Sequence, residues 1–595
     1  MTQLYKKTFA TPPQPIPSDE WTESVIFTAT ADDVMENRFS FYGETHQLPE
    51  KINFEENPGT AHWIVDLNRF PYIETLCNAF KRTGQEKYAR KCIDLILEWI
   101  SQSHDMGPSS ERLMCRSYLN IAIHLTYWIK ALAYIEEKAP HLISPEEMAT
   151  IMRSIELQVA WLDRKIPTQA SNWVFIGCRG MLVTLAYCQE IPGREELVAR
   201  QWQRVAEALK AQVLEDGVQE EMATHYHAVI LNNVVMMLDH APMLPATEHL
   251  EQIEAYTQKM LRYVVHTLTP DGYHLAFGDS DADFGPRVKH LVDHPISKRL
   301  LGNEAERLGS TCFPYGGIMF LREGSHKGRD ELYLAFDGGS FGTNHAHEDK
   351  LGFWLTAYGR SLIVDPGRHL YDQSEYSYRK FLNSTAAHST VMVDGLGQAC
   401  FSIREQPGIC RHEGKQPIFW EQQPDGTVVC GAYYSHGYGP EHLPVIHYRI
   451  FFFFPDLACW AFVDSVEGEG AHRVESRLQF APGEVQVENG VVRTLFNDAN
   501  LAVKYEQEKW SSVRVECGQE NPRGGWYSVG YNQLEPAPAV VFAKEQASLP
   551  LVSRFVLLPF RGSTFSTETL QEADRRAANG YQKALEFLKA TLPTR

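Results

Sequence analysis

The hydrophobic periodicity of this 595-residue chain changes once, and that change limits the fold more than any other feature. From Trp63 to about Tyr263, apolar residues recur at spacings of three and four, the pattern of helices with one buried stripe. IVDLNRFPYIETLCNAFKRTG and QEKYARKCIDLILEWISQS read as a helical hairpin broken at Thr83-Gly84, and RSYLNIAIHLTYWIKALAYI as a further amphipathic helix. Ser144, Pro145 and Glu147 give the next helix a capping-box start. From about Thr311 the apolar runs shorten: GGIMFLR, ELYLAFD, KLGFWLTAYG, RSLIVD, STVMVD, HYRIFFFF and ACWAFVDSV lie between Gly, Pro and Asp turns. That is a strand pattern, and many such strands in succession predict an antiparallel sandwich.

The expected architecture is multidomain α and β: an incomplete α/α toroid followed by an antiparallel β-sandwich. Absence of a fixed repeat period argues against a helical solenoid. The boundaries expected are an irregular segment at 1–60 packing on the toroid, the toroid at 61–305, the sandwich at 306–566 and a C-terminal helix at 567–595. A chain of this length exceeds one compact core. The formal net charge of −19 argues against nucleic acid and anionic membrane as partners. The run IFFFF stops at Pro455, far short of a membrane span. MTQLYKKTFATPPQPIPSDEW lacks the apolar core of a secretory signal, and eleven cysteines without a CxxC pair suit reduced thiols, so a cytoplasmic location is expected.

Chemistry-bearing residues concentrate between Asp337 and Val393, in DGGSFGTNHAHEDKLGFWLTAYGRSLIVDPG and YRKFLNSTAAHSTVMVDG. If NHAH is extended, His345 and His347 share one face, and one could serve chemistry while the other holds a metal. Asp365 in a VDPG turn and His388 add ligand types that suit zinc and its neighbours. In the helical half, TQASNWVFIGCRG carries Asn172 and Trp173, and EDGVQEEMATHYHAVILNN places Tyr226 between His225 and His227. Read alone, both are loops with a capping Asn and packed aromatics. GDSDADFG at 278–285 spaces Asp279, Asp281 and Asp283 like a calcium loop, but Phe284 stands where the sharp-turn Gly is required and no Glu closes it. It reads as a solvated junction loop.

These residues, over nearly the whole chain, resemble the heparinase II/III-like polysaccharide lyases, which carry an H-x-H pair, an Asp in a DPG-like turn and a later His. The resemblance implies a structural zinc on His347, Asp365 and His388, with His345 facing substrate. It makes Asn172 and Tyr226 catalytic, since these lyases carry an Asn in the first loop and a Tyr in the second.

The implied reaction is β-elimination at a uronic acid. Asn172 and His345 neutralise the carboxylate in the manner of an oxyanion hole, and Tyr226 takes the C5 proton and returns one to O4. A phenol has a reference pKa of about 10, so nearby positive charge is required to favour the phenolate. His225, His227 or His345 could supply that tuning.

Trp173, His225, Tyr376, Tyr378 and Arg379 are candidate substrate contacts. Alginate-acting relatives usually follow the Asn with a His; Trp173 stands there here, which favours a glycosaminoglycan-type oligosaccharide over alginate. An oligosaccharide-trimming, exo-acting role and possible homo-oligomerisation complete the expectation. Rivals are an oligoalginate lyase, a glycoside hydrolase on the toroid using Glu220, Glu221, Asp279 or Asp281, and a catalytically inert carbohydrate-binding scaffold.

Overall fold

The computed structural model describes residues 8–10, 27–59, 61–103, 117–168, 171–303, 308–372, 374, 376–399 and 414–592. Much of the expected N-terminal segment therefore lies outside the described residues. Two compact units emerge: residues 1–212, 229–257 and 294–296 form one, and residues 213–228, 258–293 and 297–595 the other. Two segments from the helical half of the sequence belong with the strands.

The first unit has the paired helices of an incomplete α/α toroid. Pro71–Thr83 opens with proline in its first turn and ends at Gly84, whose φ of 66° lets its N–H close on the Phe80 carbonyl. Glu86–Gln102 follows and buries Tyr88, Cys92, Ile93, Ile96 and Trp99. The capping box at Ser144 forms: Glu147 N–H donates to the Ser144 hydroxyl and the Ser144 N–H donates to the Glu147 carboxylate, starting Pro145–Lys165. Gly180 sets a helix contact, since a Cβ there would stand 2.4 Å from the Ala122 carbonyl oxygen. Asn172–Tyr187 can therefore lie against Tyr118–Lys138 with backbones touching.

The second unit holds an eight-stranded antiparallel sheet, a four-stranded sheet and a five-stranded sheet. The run IFFFF explains itself here. Ile446–Phe454 pairs with Cys459–Glu467, Phe451 opposite Phe462. Phe451 and Phe453 point into the core between the sheets, joined by Phe336, Phe353, Trp460 and Phe542. Ile450, Phe452 and Phe454 point the other way, under helix Thr567–Ala590, whose Leu570, Ala577, Leu585 and Leu588 cover them. Both faces of the strand are dry, so no polar alternation survives; each buried Phe contributes roughly 1.5–3 kcal/mol.

The five-stranded sheet is likewise covered twice. Met319 and Leu321 of Ile318–Arg322 enter the sandwich core. Ile318 and Phe320 meet Val218, Tyr263, Leu275 and Phe277 on the opposite face. That second layer brings residues 213–228 and 258–293 into the strand-rich unit and carries Tyr226 and Asp279 with them.

Candidate active site

The loop bearing His345 joins Tyr333–Asp337 to Phe353–Ala357. It is not extended: His345 sits at φ 58°, in the left-handed region, so the expected strand face shared with His347 does not exist. The loop is instead pinned by backbone contacts. Asp279 N–H donates to the His345 carbonyl at 2.8 Å, and Thr343 N–H to the Glu220 carbonyl at 3.1 Å. Gly278, at φ 67°, has no room for a Cβ, which would lie 2.7 Å from the same His345 carbonyl.

Tyr226 is not in a loop either. It belongs to the first turn of Thr224–His240. Ser280 fixes that turn, its hydroxyl accepting from the His225 N–H and bonding the Thr224 hydroxyl, each at 3.0 Å. The Tyr226 ring stacks on the His345 ring, centroids 3.7 Å apart and planes within 10°. Its hydroxyl bonds the Tyr371 hydroxyl at 2.5 Å, and Arg368 donates to Tyr371 at 2.7 Å. His227 faces away, bonded to the Met260 carbonyl.

GDSDADFG is buried rather than solvated: Asp279, Ser280, Asp281 and Ala282 expose 4% or less. Asp279 accepts from His345 and His347 and from both terminal nitrogens of Arg379. Asp281 receives the fork of Arg368, with His225 Nδ1 3.6 Å away. Guanidinium forks offset the desolvation that excludes unpaired carboxylates from interiors. A hydrolase would need such carboxylates available for proton transfer, but these two are committed to arginines.

Three groups converge. One ligand atom each of His347, Asp365 and His388 lie within 4.8 Å of one another, all three residues buried. His347 Nε2 faces Asp279 and His388 Nδ1 faces the Ser384 carbonyl, so both protons are spent on acceptors. The lone pairs of His347 Nδ1 and His388 Nε2 then meet 3.2 Å apart, with Asp365 Oδ2 3.5 Å from the latter. Asp365 Oδ1 is engaged with the Gly367 N–H. Three convergent acceptors with their outer atoms already oriented fit a tetrahedral cation such as zinc. Arg449 supports the two loop segments that carry His347 and His388, donating from Nη1 to the Leu351 and Ser389 carbonyls.

Charge states follow environment. Burial would raise Asp279, but hydrogen bonds from His345, His347 and Arg379 more than reverse this and hold it well below the usual carboxylate range. Burial lowers His388 to about 4, leaving it neutral, and drives Asp365 well above its ordinary value. Glu221 is pushed up to about 7 by burial. Tyr226 is raised by burial, which outweighs Arg368 and the Tyr371 hydrogen bond; the phenolate is not favoured at rest.

The other expected contacts divide. Arg379 is committed to Asp279. Tyr378 bonds Glu520 at 2.5 Å beneath Arg523, and Tyr376 is 80% exposed. Asn172 opens Asn172–Tyr187 and is buried, and Trp173 beside it is 51% exposed; both lie in the first unit and in a helix, not a loop. Sequence reading named Asp279 and Asp281 only as acids of the rival hydrolase and of a calcium-like spacing, and did not name Arg368 or Tyr371. The apolar flank Leu275-Ala276-Phe277, with Phe284 inside GDSDADFG, was the available sign that its acids are buried.

Residues 306–569 match the family described as Heparinase II/III-like, C-terminal, and residues 17–290 match Heparinase II/III N-terminus. A heparin-sulfate lyase of Pedobacter heparinus is 20% identical over 508 residues, 80% of this chain and 71% of that one. The crystal structure of heparinase III superposes with a TM-score of 0.72 at 17% identity, covering 94% of this chain and 88% of that one. That of the heparan sulfate lyase from Pedobacter heparinus gives 0.63 at 17% identity, covering 90% and 83%. At such identities the superpositions establish a common fold. With both halves of the chain matched to one family, and the two-part fold shared, this protein belongs to the heparinase II/III-like family.

Proposed function

We propose that this protein is a polysaccharide lyase that cleaves uronate-containing, glycosaminoglycan-type oligosaccharides by β-elimination. The observation that carries the reading is the Tyr226 phenol stacked on His345 and hydrogen-bonded to the Arg368-supported hydroxyl of Tyr371. His345 Nδ1–H donates to Asp279, and a second proton on Nε2 would make it the imidazolium that donates to and neutralises the substrate carboxylate. Once its own proton has been lost to solvent, Tyr226 takes the C5 proton as phenolate, the C4–O bond breaks as the C4–C5 double bond forms, and the phenol so formed passes that proton to O4. Because burial keeps the phenol protonated at rest, charge on its oxygen relies on Tyr371 and Arg368 nearby.

His347, Asp365 and His388 would hold a zinc ion, whose contribution is structural, fixing the loop that presents His345. The eight described cysteines are free thiols, seven of them at least partly buried, which supports a reducing compartment. Among the described residues no helix is long and apolar enough to cross a membrane.

The test is ultraviolet absorbance of the product. Incubation with heparan sulfate, chondroitin and alginate oligosaccharides should yield a conjugated unsaturated uronate from at least one, whereas hydrolysis yields none. Metal analysis of protein purified without added zinc should find about one equivalent bound to the three-ligand site; metal-free protein with full activity would remove the zinc assignment.

A further inference from the structure

The Asp279 side chain is fully buried, yet its two oxygens take four hydrogen bonds. Oδ2 accepts from His345 Nδ1 at 2.8 Å and Oδ1 from His347 Nε2 at 3.1 Å. Arg379 closes the carboxylate, Nη1 on Oδ1 at 2.8 Å and Nη2 on Oδ2 at 2.7 Å. A carboxylate only accepts, so each bond fixes a proton on the imidazole nitrogen it meets. His345 thus carries a proton on Nδ1 and presents Nε2 on its other side. His347 carries its proton on Nε2 and turns Nδ1 toward His388. The backbone repeats the coupling, since the Asp279 N–H also holds the His345 carbonyl.

We infer that Asp279 is a positioning residue that ties the catalytic imidazole and a metal-binding imidazole to one carboxylate, so that displacement of either ring is felt by the other. The catalytic half of this inference rests on the lyase reading of Tyr226 and His345; the metal half does not. A third anchor comes from Arg379, whose helix, Tyr378–Leu382, lies on the path from Asp365 to His388. One buried carboxylate therefore joins three chain segments: 278–281, 343–347 and 377–382.

The test is Asp279→Asn. An amide offers one acceptor and one donor where the carboxylate offers two acceptors, so one ring must lose its bond or move its proton. The expected result is a fall in kcat of roughly 10–100-fold with KM little changed, and a similar fall in zinc affinity by chelator competition. Combined with His345→Ala, the substitution should slow turnover no further than His345→Ala alone. Full additivity of the two losses, or parental kcat and zinc affinity in Asp279→Asn, would overturn the inference.

Should the variant fail to fold, the ring ¹⁵N spectra of the unaltered protein decide. Protons on His345 Nδ1 and His347 Nε2 support the inference, and an unprotonated nitrogen at either of those two positions overturns it. If no uronate yields an unsaturated product, the lyase reading falls while zinc affinity and ring spectra still judge the carboxylate.

Discussion

Two carboxylates in this molecule gather the same partners to different ends. Asp464 accepts from the Nε and Nη2 of Arg449 at 2.7 and 2.8 Å and from His447 Nε2 at 2.9 Å. Asp279 accepts from an arginine fork and two histidines at similar distances. Both acids are sealed, and both are held below the usual carboxylate range, Asp464 by the charge of Arg449 and His447 and then their hydrogen bonds, Asp279 by the hydrogen bonds it accepts. The partners differ in access: His447 and Arg449 have no exposed side-chain surface, whereas His345 is 24% and Arg379 12% exposed. A charged cluster walled in by strands can only stabilise or specify the fold. The same cluster with one imidazole reaching solvent can meet a substrate.

The largest effect expected is on the reaching side. Tyr226→Phe removes the hydroxyl that moves protons and should lower kcat by roughly 10²–10⁴-fold, the range general acid–base groups supply. Its melting temperature should stay within about 2 °C of the parent, since one partly exposed hydroxyl is lost and the ring stack on His345 remains. Product absorbance and a thermal melt check both halves; a variant that keeps full turnover would take Tyr226 out of the mechanism.

The sealed side should behave in the opposite way. Asp464→Ala strands the Arg449 charge among Phe353 and Phe462, and loss of one partner from a buried pair costs about 3–5 kcal/mol. Urea unfolding should show that loss, while turnover per folded molecule stays within about tenfold of the parent. Arg449 also anchors the Leu351 and Ser389 carbonyls, so the residual fall in turnover reports how far the metal-bearing loops depend on that support. A collapse of turnover with unchanged stability would erase the distinction between the two clusters.

What could be read from the sequence follows from how local each signal is. Helix and strand periodicities are short-range, and the Ser144 capping box and the doubly buried IFFFF strand appear where the pattern puts them. His347, Asp365 and His388 were legible through family resemblance, and folding brings their ligand atoms together. Asp279 and Asp281 were not, because alternating acids in a chain of net charge −19 look solvated. Their burial depends on arginines 100 and 87 residues further along. The turn of His345 into the left-handed region likewise depends on backbone docking against Asp279, a contact that the NHAH residues themselves do not announce.

Glu221 sharpens the comparison through a smaller effect. It is a buried acid in the electrostatic reach of His345, but no arginine stands among the influences on it. Without a guanidinium, desolvation wins, and its carboxyl is pushed up to about 7 from 4.5, opposite to Asp279 and Asp464. The folded state then binds this proton more tightly than the unfolded state. The group's stabilising contribution is fully present below pH 4.5 and disappears as pH rises through about 7. The span corresponds to about 3 kcal/mol, spread over that window. Glu221→Gln cannot ionise, so unfolding free energies measured across the window should fall with pH in the parent and fall less in the variant by up to that amount. Parallel curves would mean that Glu221 titrates normally and that burial alone, without an arginine, does not decide the charge of acids around His345.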